Sequence, residues 1–298
     1  MTRRTVLGAL AAAPVAMAAG SAGVDRPTLC IFSKHMAQFN WVDLGKNAKD
    51  AGFEGVDLTV RDKGHVEPAR AAQDLPKAYD AIRAAGLSVP MITTGLLNAQ
   101  EAPAKPTLAA AGKLKIPFFK PGYYRYAKMD TPGVVEQTLA EVRGQLTGLV
   151  ALGKENGVAC GFHNHSGDYV GAPVWDTRDL IANLDPKWVG YYLDPAHATI
   201  EGGLGVWRIT MNLVAPRLKM VAMKDFYWAK TSTGKWKLTW CPMGEGMVDW
   251  PKVFSSLKAA SFTGPLTLHV EYDTKDELAS TAKDLAYVKK IYGAVWGS

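Results

Sequence analysis

Hydrophobic and polar positions along this chain follow two patterns in turn, one with the spacing of strands and one with the spacing of helices. Short apolar runs of strand length occur eight times, near residues 28–33, 55–60, 88–93, 115–119, 158–163, 189–194, 218–224 and 266–271. Segments with helical spacing lie between them, for example 43–52, 75–86, 134–157, 248–260 and 275–295. Strands that alternate with helices predict a parallel sheet, and eight such units predict an α/β fold closed into a (β/α)8 TIM barrel.

Side chains also alternate in character within the predicted strands. In Leu266–Glu271, two leucines and a valine alternate with threonine, histidine and glutamate, and Val56–Arg61 shows the same division. Successive side chains of a strand point to opposite faces, so we expect the apolar face to contact the helices and the polar face to line the barrel. The polar side chains then meet at the carboxyl ends of the strands, where barrel enzymes have their active sites.

The N-terminus predicts a targeting signal that is separate from the fold. Arg3 and Arg4 precede an apolar stretch, which small residues follow, as in a cleavable signal peptide. The paired arginines are typical of the twin-arginine route and predict export to the periplasm. The alternative is a basic first turn on a membrane-anchoring helix. We therefore interpret residues 1–23 as the leader and residues 24–298 as a single barrel domain, with no membrane contact after cleavage.

Composition excludes several other classes of protein. Of the 298 residues, 48% are hydrophobic and 21% are charged, which is ordinary for a globular domain. The formal net charge is +6, but the basic residues are spread along the chain, so nucleic acid is not an expected partner. Cys30, Cys160 and Cys241 are an odd set without metal-binding spacing and are predicted to be packing residues. A homo-oligomer is compatible with this composition.

All six histidines lie at the end of a predicted strand or within a few residues beyond it. They are His35, His65, His163, His165, His197 and His269. A chance distribution would place several of them on helices. Their positions therefore predict one site at the mouth of the barrel, and they are the main reason to expect an enzyme.

Four residues form the predicted metal site, namely His163, His165, Asp194 and Glu271. Imidazole and carboxylate groups together suit one divalent ion such as Mn²⁺, Co²⁺, Zn²⁺ or Mg²⁺. Such an ion can polarise a carbonyl group next to the carbon that loses a proton. The alternative is a hydrogen-bonded polar plug in the mouth of the barrel without a metal.

Other charged and aromatic residues at the strand ends are candidates for contact with a substrate. Lys224 is predicted either to stabilise an enolate or to pair with a carboxylate. The predicted substrate-binding residues are His197, Glu201, Arg61, His65, His269 and Asp225, and further candidates of the same kind are Lys34, His35, Lys120 and Arg125. Long loops are predicted at 61–74, 95–107, 120–133, 195–205 and 225–247. The last of these carries aromatic residues that suit either stacking on a sugar ring or packing on the barrel rim, namely Phe226, Tyr227, Trp228, Trp236 and Trp240.

Five motifs, in this order, resemble the sugar phosphate isomerase/epimerase group of xylose isomerase-like TIM barrels. They are GFHNHSGDYVG, YYLDPAHATIEGG, VAMKDF, MGEGMVDW and LHVEY, and the resemblance extends over most of residues 28–290. Members of this family usually bind one divalent metal through Glu, Asp, His and Glu at the ends of strands 5 to 8. By resemblance, Asp194 matches the Asp, Glu271 the last Glu, and His197 a histidine that contacts the substrate. The chain departs from the family pattern at two positions, with His163 in place of the first Glu and Ala222 in place of the metal-binding His.

The residues and the resemblance together predict an exported isomerase, epimerase or related lyase that removes a proton next to the carbonyl of a small sugar or keto-sugar. Glu271 or His163 is then the base, while Lys224 and the metal stabilise the oxyanion. Export favours a free sugar or glycoside over a phosphorylated one. The alternative, favoured by Ala222, is a periplasmic carbohydrate-binding or accessory protein without activity. A DNA repair enzyme like endonuclease IV shares the barrel, but the leader and the shortage of metal ligands count against it.

Overall fold

Eight parallel strands form a closed barrel in the computed structural model of this chain, which describes residues 26–127 and 129–297. The predicted leader lies outside the described residues. The barrel strands are β1 (Leu29–Phe32), β2 (Gly55–Val60), β3 (Ser88–Thr94), β4 (Phe118–Lys120), β5 (Ala159–His163), β6 (Val189–Leu193), β7 (Leu218–Met223) and β10 (Leu266–Leu268). Two further strands, β8 (Asp225–Lys230) and β9 (Trp236–Cys241), pair with each other outside the barrel.

Helices surround the barrel and connect its strands. They are α1 (Trp41–Ala51), α2 (Ala71–Ala84), α3 (Ala104–Lys113), α4 (Val134–Asn156), α5 (Val174–Ile181), α6 (Pro195–Val214), α7 (Trp250–Ala259) and α8 (Glu277–Trp296). Three short 3-10 turns cover Ser33–Met36, Pro68–Arg70 and Ala215–Arg217. Among the described residues, none of these helices has the length and apolar character that a membrane span requires.

Closure of the barrel depends on the pairing of its first and last strands. β1 and β10 run parallel, with Leu29 opposite Leu266 and Ile31 opposite Leu268. The sheet order is β1-β10-β7-β6-β5-β4-β3-β2, so each barrel strand also pairs with the next barrel strand along the chain. The predicted (β/α)8 barrel is therefore confirmed. β10 ends at Leu268 instead of residue 271, which places Glu271 on the loop beyond the strand.

Two of the predicted loops consist mostly of regular structure, so those two predictions are wrong. Residues 195–205 belong to α6, because the Asp194 side chain accepts a hydrogen bond from His197 N (3.0 Å) and Pro195 suits the first turn of a helix. Gly203 (φ 61°, ψ −166°) then kinks this helix. Residues 225–247 contain the antiparallel β8–β9 hairpin. α2 and α3 also begin inside the predicted loops 61–74 and 95–107.

The hydrophobic residues form two cores, one on each face of the sheet. On β2, Val56, Leu58 and Val60 belong to the large core between the strands and the helices, as the alternation predicts. A small core fills the inside of the barrel and contains Met91, Tyr192, Met220 and Ala222. All three cysteines are buried and free, which agrees with a packing role. This small core fills the barrel below its mouth, so the polar side chains of the strands lie at the mouth.

Candidate active site

A cavity of about 420 Å³ opens at the carboxyl ends of the barrel strands. Its size lies within the range of small-molecule binding sites. The lining residues come from almost every strand and from the β8–β9 hairpin, and they are Phe32, Lys34, Arg61, Thr93, Lys120, Tyr123, His163, His165, Ser166, Tyr192, Lys224, Leu238, Trp240, His269 and Glu271. The polar residues at the strand ends therefore do converge on one place.

A buried ion pair between Asp194 and Lys224 lies beside this cavity. Lys224 Nζ is 3.1 Å from Asp194 Oδ2, and both side chains are almost completely buried. Lys224 Nζ also donates a hydrogen bond to His197 Nε2 (2.7 Å), so the other ring nitrogen of His197 carries the proton and donates it to Ser166 Oγ (2.7 Å). Burial alone would raise the pKa of Asp194, but Lys224, His197 and His163 together outweigh burial and hold the pKa well below its usual value.

Backbone contacts fix the position of Asp194 at the end of β6. Asn164 Nδ2 donates to the carbonyl of Asp194 (3.0 Å), and Asp194 N donates to Asn164 Oδ1 (2.7 Å). These two bonds connect the ends of β5 and β6. Asn164 therefore connects two strands, while His163 and His165 on either side of it line the cavity.

Three buried side chains have the arrangement that a metal ion needs. Ligand atoms of His163, Asp194 and His197 lie within 4.8 Å of one another. Both ring nitrogens of His163 have no hydrogen-bond partner among the described residues, whereas Oδ2 of Asp194 is in contact with Lys224 Nζ (3.1 Å). Nitrogen and oxygen donors of this kind suit a divalent transition metal. This group could therefore bind a metal ion.

The group that could bind a metal differs from the predicted set, and Lys224 would compete with an ion for it. His197 is a member, whereas His165 and Glu271 are not. Ala222 offers no donor and packs in the core inside the barrel. Because Lys224 Nζ already contacts two of the three candidate ligands, an ion at this place would have to displace the ammonium group.

The histidines around the cavity are neutral at neutral pH. Burial lowers the pKa of His163 to about 3 and that of His35 to about 4. Burial, followed by the charge of Lys224, also holds the pKa values of His197 and His269 well below the usual one. Positive charge at the cavity therefore comes from lysine and arginine, not from histidine.

Glu271 is the carboxylate that lines the cavity. Its Oε2 atom accepts a hydrogen bond from Lys34 Nζ (2.7 Å), and its side chain is 21% exposed. Burial would raise the pKa of Glu271, but the charges of Lys224 and Lys34 outweigh it and lower the pKa below its usual value. Glu271 is therefore an ionised carboxylate with open access to a bound molecule.

A chain of hydrogen bonds leads from the cavity to a buried aspartate beneath it. Tyr192 OH lies 3.1 Å from His269 Nε2 and 3.4 Å from Asp57 Oδ2. Thr93 Oγ1 donates to Asp57 Oδ1 (2.8 Å). Burial raises the pKa of Asp57 to about 7, because it removes the carboxylate from the water that would stabilise its charge.

We expect the Asp57 carboxyl group to make folding stability depend on pH. The unfolded chain loses this proton near pH 3.8, whereas the folded protein keeps it to about pH 7, so the unfolded state binds fewer protons in between. The free energy of unfolding should therefore fall as the pH rises from about 4 to 7, by an amount on the order of 4 kcal/mol from this residue. Denaturant titrations of wild type and Asp57→Asn at several pH values measure the effect. The two proteins should be similar at pH 4 and diverge above it, and equal slopes would contradict the expectation.

Four predicted substrate-binding residues do not line the cavity. One of them, His197, is buried between Lys224 Nζ and Ser166 Oγ. Glu201 Oε1 accepts a hydrogen bond from Gly167 N (2.8 Å) and joins α6 to the loop after β5. The His65 ring lies 3.2 Å from the carbonyl of Met36, and burial lowers its pKa, so it adds no positive charge. Asp225 accepts hydrogen bonds from the backbone of Phe226, Gly244 and Val248. Among the other predicted residues, Arg61, His269 and Lys224 do line the cavity.

Several lining residues were not identified from the sequence. Tyr123 lies under Lys120 Nζ, which is 3.3 Å from the centre of its ring, and Ser166 contacts His197. Thr93 and Tyr192 form the floor above Asp57. The sequence does indicate that Tyr192 faces the inside of the barrel, because Tyr192 shares a strand face with Asp194. It also indicates that Thr93 lies near the mouth, because Thr93 is at the end of a predicted strand.

Comparisons with known proteins agree with this architecture. A sequence model of the xylose isomerase-like TIM barrel family matches residues 46–291. No curated protein matches the sequence. A crystal structure of 3-keto-D-glucoside 4-epimerase from E. coli is similar, with 15% identity, 89% of this chain and 100% of that chain covered and a TM-score of 0.70.

Two further solved structures share the fold. D-allulose 3-epimerase from Methylomonas sp., in complex with D-allulose, has 13% identity, covers 90% of this chain and 98% of its own, and gives a TM-score of 0.67. A xylose isomerase-like TIM barrel protein from Mycobacterium smegmatis, in complex with magnesium, has 15% identity, covers 91% of this chain and 97% of its own, and gives a TM-score of 0.65. At these identities the likeness concerns the fold.

Proposed function

The chain belongs to the xylose isomerase-like TIM barrel family, and we propose that it is a sugar isomerase or epimerase that removes a proton next to a carbonyl group. The observation that carries the proposal is the composition of the cavity. An ionised carboxylate, Glu271, and a buried ammonium group, Lys224, line the same cavity among neutral histidines. A base and a fixed positive charge are the two groups that enolisation needs.

Glu271 takes the proton in this proposal. It is ionised, it lines the cavity, and one of its oxygens is held by Lys34. That oxygen is thereby oriented, while the other is free to approach a substrate carbon. His163 is the other candidate base, since both of its ring nitrogens lack a hydrogen-bond partner among the described residues. A pKa of about 3 makes His163 a weak base, and its burial limits its reach.

Lys224 stabilises the negative charge that develops on the substrate oxygen. Its ammonium group is fixed by Asp194 and His197, so it does not have to reorganise during the reaction. Arg61 and Lys34 supply further hydrogen-bond donors for sugar hydroxyls at the rim of the cavity. In place of the Lys224 ammonium group, His163, Asp194 and His197 would hold a divalent ion, which would supply Lewis-acid polarisation of a substrate oxygen.

Solvent exchange tests this proposal directly. The protein is incubated in D₂O with a panel of keto-sugars, including D-allulose and a 3-keto-D-glucoside, and the products are analysed by NMR and mass spectrometry. We expect deuterium at the carbon next to the carbonyl of at least one sugar, because proton abstraction exchanges that hydrogen with solvent. Heat-inactivated protein is the control. Sugar binding without deuterium in any sugar would refute the proposal.

The second candidate function is carbohydrate binding without catalysis. The observation that favours it is Ala222, which packs against Met91 and Met220 where a metal-binding side chain is usual by resemblance. Binding in calorimetry together with the absence of deuterium exchange would support it. In either case we propose that residues 1–23 direct the protein to the periplasm, where a free sugar or a glycoside is the available ligand.

A further inference from the structure

One face of the β8–β9 hairpin carries a row of tryptophans. Phe226 is opposite Trp240, Trp228 is opposite Leu238, and Lys230 is opposite Trp236. Cross-strand partners in an antiparallel pair lie on the same face, and so do alternate residues of one strand. We call Trp240, Trp228 and Trp236 the aromatic strip.

The aromatic strip begins inside the active-site cavity. Trp240 and Leu238 line the cavity, and the ring of Trp240 lies 4.7 Å from Lys224 Nζ and 5.6 Å from the ring of His197. From Trp240 to Trp236 the strand advances about 13 Å toward the tip of the hairpin. The strip therefore extends from the proposed reaction centre toward the tip of the hairpin.

Exposure increases along this path. Phe226 is fully buried and packs edge-on against both Trp228 and Trp240, with ring centres 6.4 and 6.3 Å apart. Trp228 is 41% exposed and Trp236 is 64% exposed. Exposed tryptophans mark binding surfaces, and their faces suit the apolar face of a sugar ring. Lys230 Nζ lies 5.2 Å from the centre of the Trp236 ring and adds a hydrogen-bond donor at this end of the strip.

The base of the hairpin is held in place by Asp225. Its carboxylate accepts hydrogen bonds from the backbone of Gly244 (3.0 Å) and Val248 (3.2 Å), in the segment that follows β9. A side chain on Gly246 would clash with the Asp225 carboxylate, so glycine is required there. The strip is therefore presented to the cavity by a fixed support.

We propose that the aromatic strip is a second sugar-binding subsite, so that the substrate is a glycoside with a further ring beyond the one that reacts. The reacting ring occupies the cavity beside Lys224 and Glu271, and the next ring stacks on Trp228 and Trp236. This inference rests on the proposed function of the cavity. It adds the substrate class, because a free monosaccharide would leave the outer tryptophans without a contact.

Saturation-transfer NMR with glucose, cellobiose and maltose tests the subsite. In wild type we expect both rings of a disaccharide to receive saturation. Trp228→Ala and Trp236→Ala should remove the transfer to one ring and raise the disaccharide Kd about three- to tenfold each, with little change for glucose. Tyr227→Ala is the matched control, because Tyr227 is also 41% exposed but lies on the opposite face of β8.

The results separate the two proposals. Saturation of a single ring in wild type, or an equal loss in Tyr227→Ala, would refute the subsite and leave the function of the cavity standing. The absence of saturation with all three sugars would refute the subsite, whereas the deuterium exchange of keto-sugars decides the function of the cavity. A fall in oligomeric mass in Trp236→Ala, measured by light scattering, would instead assign the strip to contact between copies of the chain and refute the subsite.

Discussion

Replacing Glu271 with glutamine is expected to lower kcat by about 10²- to 10⁴-fold, with a much smaller change in KM. Glutamine keeps the size of the side chain and can still accept the hydrogen bond from Lys34, but it cannot take a proton. The substrate should therefore still bind, while the chemical step fails. Steady-state kinetics on whichever sugar shows deuterium exchange measures both constants.

Glu277 provides a matched control for this substitution. Its carboxylate lies 3.3 Å from His35 Nδ1, so it is near the same histidine as Glu271, but it does not line the cavity. Glu277→Gln should keep kcat close to that of wild type. Activity of Glu271→Gln within tenfold of wild type would exclude Glu271 as the base, and His163→Gln would then be the next variant to measure.

The barrel and the convergence of its polar residues were predictable from the sequence, because both depend on local patterns. Each strand is a short apolar run, and a parallel barrel brings the carboxyl ends of all its strands together. His163, Asp194 and Lys224 could thus be assigned to one mouth from their strand positions alone. The large distances between them along the chain did not matter, since closure of the barrel sets their separation.

The contacts within the site could not be predicted, because they depend on side-chain reach and not on strand position. Lys224 has Asp225 as its neighbour in sequence, yet its partner is Asp194, whereas Asp225 binds backbone amides. Glu201 has the chemistry of a catalytic acid, but its carboxylate accepts a hydrogen bond from the backbone of Gly167, 34 residues earlier. Residue type alone does not distinguish a catalytic carboxylate from one that supports a loop.

The β8–β9 hairpin was not predicted for a different reason. Strands are recognised by alternation of apolar and polar residues, but aromatic residues occupy both faces of β8, with Tyr227 on one and Trp228 on the other. The tryptophans of the two strands are seen to share a face only when β8 and β9 are aligned, with Trp236 opposite Lys230. The same aromatic residues that concealed the strand are the ones that form the proposed second subsite.

Replacing Lys224 with methionine is expected to reduce the free energy of unfolding by about 3–5 kcal/mol in the absence of metal. Methionine fills a similar volume but leaves the Asp194 carboxylate buried without a cation. Asp194 is fully buried and the Lys224 side chain is only 6% exposed, so water cannot replace the lost charge. Chemical denaturation in the presence of EDTA measures this loss.

The same substitution should strengthen metal binding. Without the ammonium group, His163, Asp194 and His197 can surround a divalent ion with no competing cation, and the ion restores a charge for Asp194. Mn²⁺ should therefore raise the Tm of Lys224→Met more than the Tm of wild type. Lys219→Met, which removes a different buried lysine, one within β7, is the control and should show no such difference.

A double variant keeps this prediction testable if Lys224→Met does not fold. Asp194→Asn combined with Lys224→Met removes both charges, so its stability should recover while its response to Mn²⁺ disappears. Equal Mn²⁺-dependent increases in Tm for wild type and Lys224→Met would show that the ammonium group does not compete for this place. The ion would then bind elsewhere in the cavity, and Glu271 would be the first alternative ligand to replace.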